Sequence, residues 1–229
     1  MTEPLEVSVG LTVVHLFGRL APGFDRAALS NAGEKFVADG GMLIPVAVLG
    51  HKADLCLMGL HADAVVLRRL QSESRLAGLD VVDSYVSVTE ISEYANAAGV
   101  PEAMKQMRLY PKRLPPPGKR AWCFYPMSKR RDPGVNWFRQ DFDTRREMMA
   151  EHGTSGRAFG ERISQLITAS TGLDDYEWGV TLFANHPDDL KAVVYTMRYD
   201  QASAEYGIFG RFITGVSGTL DEVLELLGV

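Results

Sequence analysis

Cysteine is scarce in this sequence of 229 residues, and the two cysteines present exclude several kinds of site. Cys56 and Cys123 lie inside apolar runs, and neither has a second thiol or a histidine at the spacing of a zinc site. We expect both to be buried, reduced thiols. The five histidines form no HxH or HExxH pair, which argues against a zinc hydrolase.

Long apolar runs and an excess of basic residues are also absent. The longest apolar runs, at residues 42–50 and 55–60, are too short to cross a bilayer as helices. The first ten residues lack the basic and apolar regions of a secretory signal. The formal net charge of −5 argues against a general nucleic-acid binder. We therefore expect a soluble, cytoplasmic protein with no membrane span and no nucleic-acid partner.

Apolar residues make up 46% of the sequence, which is ample for a buried core. Their spacing predicts the order strand, helix, strand, strand, helix, strand twice along the chain, and each set is a ferredoxin-like unit. The first unit has predicted strands at 7–17, 42–51, 54–61 and 79–92 and helices at 24–37 and 63–71. The second has predicted strands at 121–127, 162–170, 177–184 and 206–215 and helices at 142–152 and 187–197.

The predicted fold class is therefore α+β, with two fused ferredoxin-like (βαββαβ) halves. Two such sheets can pack face to face or close on each other, and we expect a dimeric α+β barrel-like domain. Prolines cluster at 111–117, where the periodicity fails. We expect an N-terminal half at residues 1–98, a connecting loop at 99–118, and a C-terminal half at 119–229 that carries the functional site.

His152 has the most unusual context of the histidines. It ends the predicted helix and is followed at once by Gly153. A histidine in that place most often complements the helix dipole. The alternative is a metal ligand, because a single helical histidine suits a haem iron, whose four equatorial ligands come from the porphyrin. The remaining histidines are more simply structural: His15, His51, His61 and His186.

The segment YPMSKRR joins a phenol to three cations. It is either a solvated basic loop or an anion-binding corner with Tyr125 at its edge and Lys129 four residues on, since Arg and Lys donors suit carboxylates. Strand alternation places Gln165 between two isoleucines on one face, where a buried amide needs a partner or a ligand. A further polar pair, either a solvated helix end or part of a site, is formed by Arg198 and Ser203.

Several blocks of the sequence resemble, in the same order, the coproheme decarboxylases of the chlorite dismutase-like superfamily. They span nearly the whole chain: RLYP (108–111), CFYPMSKRR (123–131), NW (136–137), the MM–EHG stretch (148–153), GLDDYEWGVTLFA (172–184) and MRYDQASAEYGIFG (197–210). The resemblance implies an enzyme that converts iron coproporphyrin III to haem b by oxidatively removing two propionate carboxylates with hydrogen peroxide. Coproheme would be both substrate and redox cofactor, and the implied assembly is a homopentamer.

The resemblance also assigns roles residue by residue. It implies that His152 is the proximal iron ligand and that Tyr125 forms a radical that takes hydrogen from a propionate. It implies that Lys129 lies beside the reacting propionate and that Gln165 is the distal glutamine above the iron. The positions that resemble propionate-holding residues are Arg108, Arg198 and Ser203.

The sequence departs from the family pattern in two places, and two other functions stay open. The connection between Arg108 and Tyr125 is longer because of PPPGK, and Phe138 stands where a tyrosine is usual. One alternative is a chlorite dismutase, which would use a distal arginine where this chain has Gln165. The other is a non-enzymatic haem-binding chaperone or sensor, which has no need of Tyr125 together with Lys129 at a propionate edge.

Overall fold

The computed structural model describes residues 3–229. Its strands, in chain order, are β1 (Thr12–Leu20), β2 (Met42–Val48), β3 (Leu55–His61), β4 (Leu79–Thr89), β5 (Ala121–Lys129), β6 (Arg131–Asp132), β7 (Val135–Asn136), β8 (Ile163–Ala169), β9 (Trp178–Ala184), β10 (Gly207–Phe209) and β11 (Ile213–Ser217). Its α-helices are α1 (Arg26–Ala38), α2 (Ala64–Leu76), α3 (Glu102–Leu109), α4 (Phe142–Arg157), α5 (Pro187–Met197), α6 (Gln201–Ala204) and α7 (Leu220–Leu226).

Eight strands close into one antiparallel barrel, in the order β5-β11-β2-β3-β1-β4-β8-β9 and back to β5. The short strand β10 pairs with the far end of β5. Each half keeps the strand order of a ferredoxin-like unit: β4-β1-β3-β2 in the first and β11-β5-β9-β8 in the second. The halves meet where β4 pairs with β8 and where β11 pairs with β2. The predicted α+β class, with two such halves forming a barrel, is confirmed.

Several strand boundaries and the connection differ from the prediction. β2 ends at Val48 and β4 at Thr89, each three residues before its predicted end, and β5 continues to Lys129. β1 begins at Thr12 rather than at residue 7, and the strand predicted at 206–215 is interrupted. The break lies at Gly210, whose N–H donates to the carbonyl of Pro126 at 2.8 Å and whose missing Cβ would come within 2.6 Å of that proline ring. The connection expected as a loop at 99–118 contains α3, because its residues are good helix formers.

α4 runs past its predicted end. The sequence predicts a stop at His152, but the helix continues to Arg157. Gly153 and Gly156 are tolerated inside it because a helical glycine costs only about 1 kcal/mol relative to alanine. The prediction that His152 lies at a helix end is therefore wrong, and so is the role of complementing a helix dipole that followed from it.

Aromatic side chains fill the barrel, because alternate residues of each strand point inward. Trp122 and Phe124 of β5 lie against His15 and Phe17 of β1, and all four are almost completely buried. The ring centroids of His15 and Phe124 are 4.2 Å apart, and those of Phe17 and Trp122 are 6.4 Å apart. Nε2 of His15 lies 3.1 Å from the hydroxyl of Thr181. His15 is thus a core histidine, as the sequence indicated.

Helices cover the outer face of both halves. Residues of α1, α2 and α7 pack on the first sheet, and residues of α5 pack on the second. Cys56 and Cys123 are buried, free thiols, as expected. Within residues 3–229, no helix is both long and apolar enough to cross a membrane. On the second half α4 stands away from part of the sheet, which opens a space between them.

The burial of His15 predicts an acid-dependent loss of stability. Burial lowers the pKa of His15 to about 3, whereas in the unfolded chain it is about 6.5. Between these values the unfolded chain binds a proton that the folded chain does not, so stability falls as pH falls, by up to about 1.4 kcal/mol per pH unit. We expect urea unfolding of His15→Phe to depend less on pH between 6.5 and 4 than that of the wild type. Equal slopes for the two proteins would contradict this.

Candidate functional site

A cavity of about 810 Å³ opens between α4 and the outer face of the second sheet. The end of β4 and the connection between the halves, residues 88–94 and 107–114, contribute another wall. The lining is mostly apolar, and the volume is in the range of cofactor and ligand pockets. Four of the residues singled out from the sequence line it: Arg108, Lys129, His152 and Gln165.

Strand alternation builds the floor of this cavity. The register sets Tyr125 of β5 and Ile167 of β8 on either side of Val180 in β9, with side chains pointing away from the barrel. Gln165 lies two residues from Ile167, and both line the cavity. Ile163 shares this face, as the alternation predicts, but it is buried in the cluster that packs beneath α5.

His152 points from α4 to a buried carboxylate. Its Nδ1 lies 3.1 Å from Oδ2 of Asp200 and 3.3 Å from the hydroxyl of Ser203. Burial by itself raises the pKa of Asp200, but the hydrogen bonds and charge of its neighbours outweigh burial and hold that pKa below its usual range. With Nδ1 turned to Asp200, Nε2 is the nitrogen left for a ligand, which is the arrangement of most metal-binding histidines in proteins.

Lys129 ends β5 as a buried ammonium. Its Nζ donates to the carbonyl of Ala202 at 2.6 Å and lies 4.5 Å from the ring centroid of Trp137. Its backbone N–H donates to Glu177 at 2.8 Å, which fixes the end of the strand. Burial lowers the pKa of Lys129 to about 8, against the opposing pull of the carboxylates of Asp200 and Glu177. Within residues 3–229, no carboxylate forms a salt bridge with this ammonium.

Tyr125 lies on the cavity side of the sheet but does not line the cavity. Its ring stacks on Phe212 with centroids 4.4 Å apart and meets Phe209 edge-on at 5.9 Å. Burial raises the pKa of the Tyr125 phenol, so the group is neutral at ordinary pH. Met127, two residues along β5, does line the cavity. The phenol therefore lies on the same face of the sheet as the cavity lining, but it is packed among the rings of Phe209 and Phe212.

The cavity wall carries further cations. Arg108, Lys112 and Arg113 of the connection line it, and within the described part of the chain none of them forms a salt bridge. The other two residues singled out from the sequence lie elsewhere. Ser203 contacts His152, and Arg198 places its guanidinium 4.4 Å from the ring centroid of Tyr195.

Two residues that form the site were not singled out from the sequence. The sequence around Asp200 does predict a helix N-cap, because its aspartate lies three residues before Ser203. In the structure its carboxylate accepts the N–H of Ser203 at 2.9 Å. Its contact with His152 joins distant parts of the chain, which no local pattern reveals. Trp137 belongs to the block NW, but the sequence assigned it no role. Its side chain is 2% exposed, and its ring packs against the ammonium of Lys129.

A family model described as chlorite dismutase matches residues 26–218. The chain belongs to the chlorite dismutase family. A coproheme decarboxylase of Staphylococcus saprophyticus is 37% identical over 187 residues, which cover 80% of this chain and 75% of that protein. Putative haem-binding proteins of Natronomonas pharaonis and Haloquadratum walsbyi are 41% and 39% identical over 78% and 94% of this chain. The chain spans only 32% and 45% of the lengths of these two proteins.

Solved structures of family members share the fold. A haem-binding protein from Thermus thermophilus matches with a TM-score of 0.83 and 31% identity, over 100% of this chain and 98% of that one. A mutant chlorite dismutase from Candidatus Nitrospira defluvii matches with a TM-score of 0.75 over 97% of both chains. At 18% identity the latter supports the fold alone.

The environment of Lys129 predicts an ammonium that titrates near neutrality. Burial disfavours its charged form, so Lys129 should lose its proton at a pKa of about 8, well below the usual 10.5. In protein labelled with ¹³C at lysine Cε, we expect one resonance to titrate near pH 8 and to be missing from Lys129→Met. If every lysine resonance titrates near the usual value, the buried ammonium described here is wrong.

Proposed function

We propose that the chain is a coproheme decarboxylase, an enzyme that uses hydrogen peroxide to convert two propionates of iron coproporphyrin III to vinyl groups and so makes haem b. The observation that carries the proposal is the buried ammonium of Lys129. It faces a large apolar cavity and has a neutral carbonyl, that of Ala202, as its hydrogen-bond partner. A carboxylate on a bound ligand is the partner that such a cation favours.

The residues around the cavity fit an iron porphyrin with carboxylates at its edge. His152 offers Nε2 from one wall, and the opposite floor carries the uncharged amide of Gln165. The mostly apolar lining suits the flat macrocycle, and the cations Arg108, Lys112 and Arg113 suit its carboxylates. The 37% identity to a protein named coproheme decarboxylase supports the same substrate.

Each decarboxylation consumes one propionate, one hydrogen peroxide and one proton, and yields a vinyl group, carbon dioxide and two waters. When bound, the iron would supply the two-electron reduction of peroxide. With the iron as the electron acceptor, the neutral phenol of Tyr125 would give up a hydrogen atom as a proton and an electron, and the tyrosyl radical would regain one from the propionate carbon next to the pyrrole ring. The carbon radical left behind would lose a second electron to the same acceptor while its bond to the carboxylate breaks, which releases carbon dioxide and leaves the vinyl group. Lys129 holds the carboxylate that leaves, which keeps the reacting carbon near Tyr125.

The remaining assignments are part of the same proposal. Gln165 would present its uncharged amide to the bound iron, and Arg108, Ser203 and Arg198 would help to hold propionates. For Arg198 this requires that the guanidinium leave the ring of Tyr195, over which it lies. A homopentamer and a cytoplasmic location, both expected from the sequence, remain predictions.

The proposal predicts that Tyr125→Phe separates binding from chemistry. Phenylalanine keeps the apolar stacking but has no hydroxyl hydrogen to give, so the variant should bind iron coproporphyrin III and form no vinyl product. The measurement is mass spectrometry of the porphyrin after peroxide is added. Tyr199→Phe is the matched control, because Tyr199 is 68% exposed, and it should give wild-type yields of mono- and divinyl products. Normal turnover by Tyr125→Phe would remove Tyr125 from the mechanism, and no product from the wild type would overturn the proposal.

Chlorite provides the test of the alternative enzyme. Gln165 is uncharged and therefore confines an anionic oxychlorine species at the iron poorly. We expect the porphyrin-loaded protein to give no fast, sustained release of dioxygen from chlorite in an oxygen-electrode assay. Sustained turnover would make the chain a chlorite dismutase instead.

A further inference from the structure

The short segment Asp200–Ser203 touches two residues that the proposed reaction uses in different places. It begins with the N-cap of α6 and includes most of that helix. Its side chains contact His152, and its backbone contacts Lys129. Ala202 and Asp200 are almost completely buried, so the segment has little freedom to move without disturbing both contacts.

The contact with His152 is a network rather than a single bond. Oδ1 of Asp200 accepts the N–H of Ser203 at 2.9 Å, which fixes the carboxylate, and Oδ2 then faces Nδ1 of His152 at 3.1 Å. The hydroxyl of Ser203 lies 3.2 Å from the same Oδ2 and 3.3 Å from the same Nδ1. A carboxylate accepts hydrogen bonds only, so this network requires the proton of a neutral His152 to sit on Nδ1.

The contact with Lys129 comes from the middle of the segment. The carbonyl of Ala202 accepts a hydrogen bond from Nζ at 2.6 Å, and the negative charge of Asp200 favours the ammonium. Trp137 closes the other side, with its ring centroid 4.5 Å from Nζ. The lysine is therefore held by Ala202, which lies in the chain between Asp200 and Ser203, the two residues that orient the imidazole of His152.

We propose that the segment Asp200–Ser203 is a shared support that energetically couples His152 to Lys129, with Asp200 as its positioning residue. The inference rests on the proposed function, because it treats His152 as the iron ligand and Lys129 as the propionate partner. It goes beyond that function by making the two interdependent: a change at one alters how well the other is held. Asp200 touches neither porphyrin nor peroxide and acts only through these two side chains.

Asp200→Asn tests both arms of the coupling. Asparagine is an equally good N-cap and keeps the bond to the N–H of Ser203, so the fold should survive. Its NH₂ group, however, would face Nδ1 of His152 and drive the ring proton to Nε2. In the apoprotein at fixed pH, ¹⁵N NMR should show this change of tautomer at His152. Lys129 should also react several-fold faster with an amine-labelling reagent, since both its charge partner and its support are weakened.

Asp25→Asn is the matched control. Asp25 is also an N-cap aspartate, which accepts the N–H of Ala28 at 2.9 Å, but it lies at α1 in the other half. It should leave both readouts at wild-type values. If Asp200→Asn leaves the tautomer of His152 or the protection of Lys129 unchanged, the coupling is overturned.

A double-mutant cycle measures the coupling in the loaded protein. We expect Asp200→Asn to weaken binding of iron(III) coproporphyrin III about 10- to 100-fold, the usual cost of losing the partner of a metal-binding histidine. In Asp200→Asn/Lys129→Met the loss should be smaller than the product of the two single losses, whereas Asp25→Asn/Lys129→Met should give the product. A product for both pairs would contradict the proposal.

The two proposals fail separately. If the wild-type protein does not bind iron coproporphyrin III, the proposed function is wrong. The NMR and labelling measurements on the apoprotein still decide whether His152 and Lys129 share a support. If binding is normal and the apoprotein readouts do not change in Asp200→Asn, the proposed function stands and the coupling does not.

Discussion

One strand, β5, belongs to two cores at once, and the rest of the structure depends on it. Its even-numbered residues, Trp122 and Phe124, fill the barrel, while its odd-numbered residues Tyr125 and Lys129 point to the opposite side. Because the side-chain period of a strand is two, a slip of one residue would send the phenol and the ammonium into the barrel and the aromatics out of it. Pairing with β9 on one side and β11 on the other prevents that slip. The geometry of the site is thus set by the packing of the barrel.

The alternation of side chains along strands and the capping of helices are the features that the sequence could predict. Alternation places Gln165 and Ile167 on one face of β8, and they do share it. Asp63 stands where the helical pattern of α2 begins, which is typical of an N-cap, and its carboxylate accepts the N–H of Val65. These signals are local, because each depends on residues a few positions apart. Both predicted units, and the barrel that they form, follow from the same kind of pattern repeated.

Contacts between distant residues set the limit of such prediction. The predicted end of α4 is wrong because Gly153 resembles a stop signal, whereas the helix continues through it to Arg157. The hydrogen-bond partner of His152 is Asp200, which is far away in the sequence, and no residue near either of them predicts this contact. The same holds for the chemistry of Lys129. Its sequence context is that of a solvated basic loop, and only the fold buries it. Burying an ammonium costs several kcal/mol, offset here by the carbonyl of Ala202 and by nearby carboxylates.

The closure of the barrel also bears on how the chain is made. β2 and β4 are the outer strands of the first half, and each finds its neighbour only in the second. Val48 of β2 pairs with Gly215 of β11. The backbone amides and carbonyls at this edge of β2 therefore lack hydrogen-bond partners until nearly all of the second half has left the ribosome. Bare strand edges recruit other strands, including those of neighbouring nascent chains. Until β8 and β11 have been made, the edges of β4 and β2 are therefore open to such pairing, and these later strands cover them at residues 88–89 and 46–48.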